Sequence, residues 1–401
     1  MKVGEVVNCT VDIGEVNDLY LQTVRSFFEV GGKKVKNPEG IAFVFDHYAP
    51  APTMQSADNQ RVMRKFVREQ GIRYLFDVNA GVCHQVMPEA GIVWPGMILV
   101  ATDSHTTTHG AFGAFSTGVG ATDMATIMLT GELWFRVPEV IKITIDGHLR
   151  PGVMAKDVIL HIIGSLKQDA AVYKAIEYTG SAVDELSVAG RMVICNMSVE
   201  MGAKATFIRP DDKVLEYVKA HSDRDFTVYD TDSDYRYSAE YHFDVGELTP
   251  RVAVPYSVDD VVPVSEVAGV PVDQVFIGTC TGGRLEDIEI AARILKGKRI
   301  ATSCRMVVMP GSADVLMRCI KAGYMESLIS AGVTFATPGC GPCAGVHAGV
   351  MAAGEVCVST SSRNFLRRMG STETRIYSAS PATAAASALM GKLVDPTPYI
   401  I

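Results

Sequence analysis

Short apolar runs alternating with longer amphipathic stretches constrain this 401-residue chain more than any other feature. The runs Ile41–Phe45, Met97–Val100, Val140–Ile145, Gln274–Ile277 and Arg305–Met309 are rich in β-branched residues and read as strands. Asp58–Gln70, Asp123–Leu133 and Glu286–Leu295 between them carry helical periodicity. Strands that alternate with helices predict an α/β fold with largely parallel sheets, since parallel neighbours need a crossover. In such sheets ligands gather outside the carboxyl ends of the strands.

Three strand ends carry functional side chains. Val100 leads into Asp103-Ser104-His105, Ile277 into Gly278-Thr279-Cys280, and Phe335 into Gly339-Cys340-Gly341-Pro342-Cys343, with a glycine-rich turn and a helix expected after each. Pro138 and the segment 147–151 suggest a first break, Ser222–Tyr241 reads as loops and short strands, and Pro250–Pro263 reads as a linker. The expected domains are residues 1–137, 138–265 and 266–401, without an internal repeat.

Several function classes are disfavoured. The formal net charge is −8 and the basic residues are scattered, whereas a nucleic-acid surface needs a basic patch. The N-terminus lacks a signal-peptide core and no long apolar run spans a membrane, so a cytoplasmic protein is expected. In a reducing compartment, closely spaced cysteines point to metal or catalysis rather than disulfides. Of nine cysteines, Cys9, Cys83, Cys195, Cys304, Cys319 and Cys357 read as small buried hydrophobes.

Cys340 and Cys343 form a CxxC bracketed by Gly and Pro, with Cys280 in a second glycine-rich turn. Taken alone, the CxxC admits zinc, a redox dithiol, an iron–sulfur cluster or a coincidental pair. A zinc ribbon would need a second CxxC, and a thioredoxin-like motif belongs near the start of a small domain. Three thiolates suit a cubane cluster that leaves one iron without a protein ligand.

Asp46-His47, His84 and Asp103-Ser104-His105 stand in three separate loops. A lone histidine in such a loop is usually structural, but an Asp beside an imidazole fixes its tautomer and raises its basicity, as a general acid near neutral pH requires. His109 reads as a loop residue supporting that turn. Arg363 and Arg368 could clamp carboxylates through their guanidinium forks, or could be a solvated basic turn.

Together these segments resemble the aconitase family, in particular the separate large subunits of 3-isopropylmalate dehydratase and homoaconitase. The resemblance rests on Phe45-Asp46-His47, Gly81–Gln85, Thr102–His105, Thr117–Asp123, Ile194–Glu200, Ile277–Arg284, Pro338–Cys343 and Gly354–Gly370, in family order across almost the whole chain. It implies three α/β/α domains around an iron–sulfur site, without the swivelling fourth domain. It also implies that Cys280, Cys340 and Cys343 hold a 4Fe-4S cluster and that His47, paired with Asp46, protonates a departing hydroxyl. His84, Asp103, Ser104 and His105 would line the site. Asn196 and Glu200 would contact substrate and water, and Arg363 and Arg368 would hold substrate carboxylates. The α-proton base would come from a separate small subunit in a heterodimer or heterotetramer.

The implied activity is a hydro-lyase acting on a small 2-hydroxy di- or tricarboxylic acid, 3-isopropylmalate first, with homocitrate-type or 2,3-dimethylmalate-type substrates as alternatives. An RNA-binding regulator or an inactive paralogue are the other readings. The sequence departs from the family pattern at Gly282, where Asn usually follows Cys-Thr, and at Ser362, usually Asn before the arginine. Asn17 stands where Gln or His is common, and the N-terminus is shorter than is typical.

Overall fold

The structure, a computed structural model, describes residues 2–400. Its contacts divide into two compact units, one of Met1–Ile145 with Asp169–Phe243, the other of Asp146–Gln168 with Asp244–Ile401.

The first unit holds three sheets. Strands β1 (Val6–Thr10), β2 (Ile13–Asn17), β3 (Ile41–Val44), β4 (Tyr74–Phe76), β5 (Ile98–Ala101), β6 (Phe115–Gly118) and β7 (Glu132–Arg136) come first. A five-stranded sheet runs β4-β3-β2-β5-β6, and β1 and β7 form an antiparallel pair. The five-stranded sheet is parallel throughout, so the carboxyl ends of β3, β2 and β5 lie side by side on one edge. Central β2 is buried at every position, as a strand covered on both faces must be. Phe27, Phe43, Phe45, Phe66, Met63 and Met124 are among the side chains filling this core. The helix Met54–Gln70 begins where Thr53 accepts the backbone N–H of Ser56 and ends on left-handed Gly71. A cap of this kind stabilises a helix by about 1 kcal/mol.

A four-stranded sheet follows from β8 (Val140–Asp146), β9 (Ala175–Thr179), β10 (Ala205–Ile208) and β11 (Ala239–Asp244), in the order β10-β9-β8-β11. The second unit is built on β12 (Arg251–Ala253), β13 (Val261–Pro263), β14 (Gln274–Ile277), β15 (Arg305–Val308), β16 (Thr334–Phe335), β17 (Val356–Ser359) and β18 (Arg375–Ala379). Their order is β13-β12-β18-β17-β14-β15-β16, with β18 through β16 parallel and β12 antiparallel to both its neighbours.

Three local expectations change. The helix expected over Asp123–Leu133 runs Ala121–Thr130 and stops at left-handed Gly131, after which Glu132–Arg136 turns extended with alternating burial. Pro250–Pro263 is not a linker: it supplies the hairpin β12–β13 at the sheet edge, where proline costs no ladder bond. No α-helix follows directly on Cys343, which lies in the short 3₁₀ turn Gly341–Ala344 with β17 as the next element. Among the described residues no helix is long and apolar enough to cross a membrane.

Candidate active site

In the first unit, three turns leave the aligned strand ends, and each begins with an acid: Asp18 after β2, Asp46 after β3, Asp103 after β5. Asp46 Oδ1 lies 2.7 Å from His47 Nδ1, while its Oδ2 accepts the backbone N–H of Cys83 at 2.9 Å. Asp18 accepts the backbone N–H groups of His47 and Tyr48 at 3.0 and 2.9 Å, and Gln60 donates to the same carboxylate. The His47 ring is thereby fixed from both its backbone and Nδ1, leaving Nε2 3.8 Å from Asp103 Oδ2. Burial by itself would lower the His47 pKa, but Asp46, Asp103 and Asp18 outweigh it and raise the imidazole to about 9.

Asp103 opens the 3₁₀ segment Ser104–Phe112 as its N-cap, accepting the backbone N–H of His105 at 2.7 Å. Its Oδ1 also lies 3.0 Å from His84 Nε2. Burial pushes the Asp103 pKa up, yet the bonds and charges of His105 and His84 hold the carboxyl well below its usual range. The relay continues, since His84 Nδ1 lies 3.4 Å from His109 Nε2. His105 Nε2 lies 3.0 Å from Glu200 Oε1, on the 3₁₀ turn Ser198–Met201. Asn196, fully buried at the end of the helix Val188–Met197, donates to Thr108 Oγ1 at 2.7 Å and so braces the same segment. A cavity of about 480 Å³ opens beside this cluster, lined by Asp103, Ser104, Asp123, Trp134, Val199 and Lys204 among others.

The first unit therefore brings together Asp46, His47, His84, Asp103, Ser104, His105, Asn196 and Glu200. Asp18 joins them without having been singled out from the sequence, and His109, read there only as a loop residue supporting the turn, joins them through His84. For Asp18 a signal existed, because it follows β2 as Asp46 follows β3. His109 is four residues beyond His105, in a segment too irregular for that spacing to be read as one face.

In the second unit, the cysteines sit on the turns after β14 and β16, with β15 between them. Those strand ends are two spacings apart, about 10 Å. None of the three forms a disulfide; Cys340 and Cys343 are buried and Cys280 is half-buried. Thr279, just before Cys280, has φ +68°. Such left-handed geometry in a β-branched residue costs on the order of 1–3 kcal/mol and collects at functional sites. The residue after β15, Met309, packs so tightly under left-handed Gly341 that a Cβ there would lie 2.0 Å from its sulfur. That contact seats the CxxC turn on the strand between the two cysteine loops.

Gly282 also has a steric reason: a Cβ would fall 2.2 Å from Thr360. Thr360 and Gly278 exchange hydrogen bonds through the Thr360 hydroxyl, and Thr281 donates to the Thr360 carbonyl at 2.7 Å. Lys156, fully buried near the start of the helix Ala155–Leu166, donates 3.0 Å bonds to the carbonyls of Thr360 and Ser361 and reaches Thr281 Oγ1 at 3.5 Å. The Cys280 loop and the loop leading to Arg363 are thus pinned to one ammonium. Arg368 Nη2 lies 3.7 Å from Cys343 Sγ, within reach of a hydrogen bond to sulfur. Asn364 anchors the arginine segment by donating to the carbonyls of Val254 and Ser257.

Of the other cysteines, Cys83, Cys195, Cys304, Cys319 and Cys357 are buried as expected, whereas Cys9 is only half-buried. Burial raises the thiol of Cys195 to about 12 and those of Cys304 and Cys319 to about 11, so none of these three is a ready thiolate.

Comparison with known proteins gives the chain its family. The sequence matches the Aconitase family (aconitate hydratase) over residues 9–269 and 265–391. It is 50% identical over 400 residues to the 3-isopropylmalate dehydratase large subunit 1 of Methanopyrus kandleri, covering 100% of this chain and 96% of that protein. It is 52% identical over 373 residues to a protein of Methanosarcina mazei named "Probable methanogen homoaconitase large subunit", covering 93% and 95% of the two. The crystal structure of Thermococcus kodakaraensis aconitase X in its holo-form superposes with a TM-score of 0.52 at 12% identity, over 88% of this chain and 84% of that one. This chain belongs to the aconitase family.

Proposed function

We propose that the chain is the large, catalytic subunit of a hydro-lyase that dehydrates and rehydrates a 2-hydroxy di- or tricarboxylic acid, 3-isopropylmalate being the leading substrate. The observation that carries this reading is the His47 imidazole, held by Asp46 at 2.7 Å, flanked by Asp103 and raised to about 9. Hydroxide is a poor leaving group. An imidazolium that keeps its proton at neutral pH, with Nδ1 tied to a carboxylate, is the acid such a departure needs.

The reading includes a 4Fe-4S cluster on Cys280, Cys340 and Cys343. The residues fit it: three thiols outside any disulfide stand on the turns after β14 and β16, glycine lets the CxxC backbone come close, and Arg368 offers a donor to one sulfur. When bound, a cluster with one iron lacking a protein ligand supplies a Lewis acid for a hydroxyl group. The chain's own residues do the rest. His47 gives up the proton, Asp46 and Asp18 hold it in place, and Asp103 orients His84 and His105. Glu200 bonds His105 and can accept or return a proton from water. Arg363 and Arg368 carry the charge that substrate carboxylates require.

A separate small subunit, which the "large subunit" names of the relatives imply for those proteins, supplies the α-proton base. A homoaconitase-type substrate is the second reading, favoured by the Methanosarcina mazei relative. The residue ranges 1–137, 138–265 and 266–401 complete the reading as three domains, and the setting is the cytoplasm.

The test is to co-express the chain with a small-subunit partner, reconstitute with iron and sulfide without oxygen, and follow enoic-acid formation from 3-isopropylmalate, homocitrate and 2,3-dimethylmalate. Turnover of 3-isopropylmalate that is lost in His47→Asn supports the proposal. Full iron and sulfide with no turnover of any of the three would sink it.

A further inference from the structure

The strand β6 ends in a turn that the proposed mechanism does not use. It lies at the edge of the parallel sheet beside β5, and Thr117-Gly118-Val119-Gly120 leads straight into the helix Ala121–Thr130. A glycine-rich turn from the carboxyl end of a strand into a helix is where such sheets hold ligands. The cavity of about 480 Å³ opens on this turn, and none of its lining residues comes from the cysteine turns or the arginine segment.

Three donors meet there. Gly120 is the N-cap of the helix and no side chain caps it, so the backbone N–H groups of the first turn are left for another acceptor. Thr117 is only 2% exposed, and its hydroxyl has no partner among the described residues; because that oxygen is not sealed in, it opens onto the cavity the residue lines. Lys204 is half-buried, and its ammonium has the Gly118 carbonyl at 3.5 Å and the Tyr173 ring at 5.8 Å. Burial pushes this ammonium below its usual pKa, against the pull of Asp123. A helix N-terminus, a hydroxyl and an ammonium together call for an anion.

Two acids on the same wall limit which anion. Asp103 is engaged by His84 and by the backbone N–H of His105, and Asp123 is exposed in the first helical turn, where the helix dipole favours a carboxylate. A phosphate dianion would face both, whereas a single carboxylate needs only one cation. The remaining wall is apolar. Val119 and Val199 line it, and Trp134 and Tyr173, 61% and 41% exposed, stand at it with ring surface to cover.

We propose that this cavity is a further ligand site, taking a small carboxylate with a branched apolar body: the carboxylate on Lys204, Thr117 and the helix N-terminus, the body against Val119, Val199 and Trp134.

The chain has two tryptophans, and Trp94 lies under the Arg224 guanidinium, so Trp134 fluorescence reports on the cavity. Titrating the full chain with 3-methylbutanoate should give a saturable change, half complete by about 1 mM. The signal should vanish in Trp134→Phe while calorimetry on that variant still detects binding. Lys204→Met should weaken binding about tenfold or more and Thr117→Val about threefold or more, the losses expected for a charged and a neutral hydrogen bond. Thr117→Val keeps the side-chain shape and carries the test if Lys204→Met does not fold. Arg368→Met should bind as wild type does. L-Valine has the same carbon skeleton with an ammonium added, and orthophosphate has charge without an apolar body. Binding of 3-methylbutanoate or L-valine supports the site, and the tighter of the two tells whether Asp123 pairs with an ammonium. Binding of orthophosphate alone would overturn the ligand class. A response lost in Arg368→Met but kept in the Lys204 and Thr117 variants would overturn the site, as would no saturable change with any probe up to about 10 mM.

Discussion

His47 and Asp46 are neighbours in sequence, yet they meet side chain to side chain, Nδ1 to Oδ1 at 2.7 Å. Adjacent residues of an extended strand point to opposite faces, so this pairing needs the turn that begins as β3 ends. Asp18 makes the turn by taking the backbone N–H groups of His47 and Tyr48. His47→Asn should cost about 10² to 10⁴ in kcat with little change in KM, the range expected for a general acid. Asp46→Asn should cost less and move the alkaline limb of kcat below pH 9, since the largest contribution raising His47 is Asp46. A pH–rate series on both variants checks it; an unmoved limb in Asp46→Asn would contradict the pairing.

The contact between His84 and His109 makes a second, less obvious expectation. His109→Phe keeps a ring of similar size but removes the nitrogen that faces His84. Turnover should fall about tenfold through a misoriented His84, while the melting temperature changes little. Steady-state kinetics and calorimetry on one preparation separate the two effects.

Cys343→Ser should lower iron and acid-labile sulfide sharply after anaerobic reconstitution. Arg368→Met should leave both near wild type while making the cluster harder to reduce, because a positive donor near Cys343 sulfur is lost. Metal analysis and a redox titration measure these directly. Loss of iron in Arg368→Met would mean that the arginine holds the turn rather than tuning it.

Stability should depend on pH through two buried acids of the second unit. Burial raises Asp287 and Asp157 to about 7, against the hydrogen bonds and nearby cations that work to lower them. Both folded pKa values lie above the unfolded ones, so their stabilisation is complete below about pH 4 and fades as pH climbs through about 7. Asp287→Asn should flatten that decline, read from melting temperatures between pH 5 and 8. A slope equal to wild type would show that Asp287 is ionised throughout.

Gly282→Asn would restore the residue common in the family, and it should harm this chain. A Cβ would meet Thr360 at 2.2 Å, so the cost should be about 1–3 kcal/mol unless Thr360 is also changed to a smaller residue. Thermal melts of the single variant and of Gly282→Asn with Thr360→Gly test the coupling.

Much of this was legible in the residues. Strands such as Gln274–Ile277 ended where the apolar run ended, and each was followed by the expected functional turn. Less visible were groups whose importance lies in what they touch. Asp18 reads as an ordinary turn aspartate until its bonds to His47 and Tyr48 are known. Lys156 sits in an amphipathic helix and looks solvent-facing, whereas its ammonium is buried against carbonyls some two hundred residues away in sequence. Pro250–Pro263 misleads because proline-rich edge hairpins and linkers share a composition.

That lysine has a mechanical consequence. Because one ammonium fastens the carbonyls of Thr360 and Ser361 and also reaches Thr281, the segment that presents Arg363 inherits its coordinates from the segment that presents Cys280. The two cannot drift separately. With one buried ammonium as their common anchor, a shift of either segment is passed to the other.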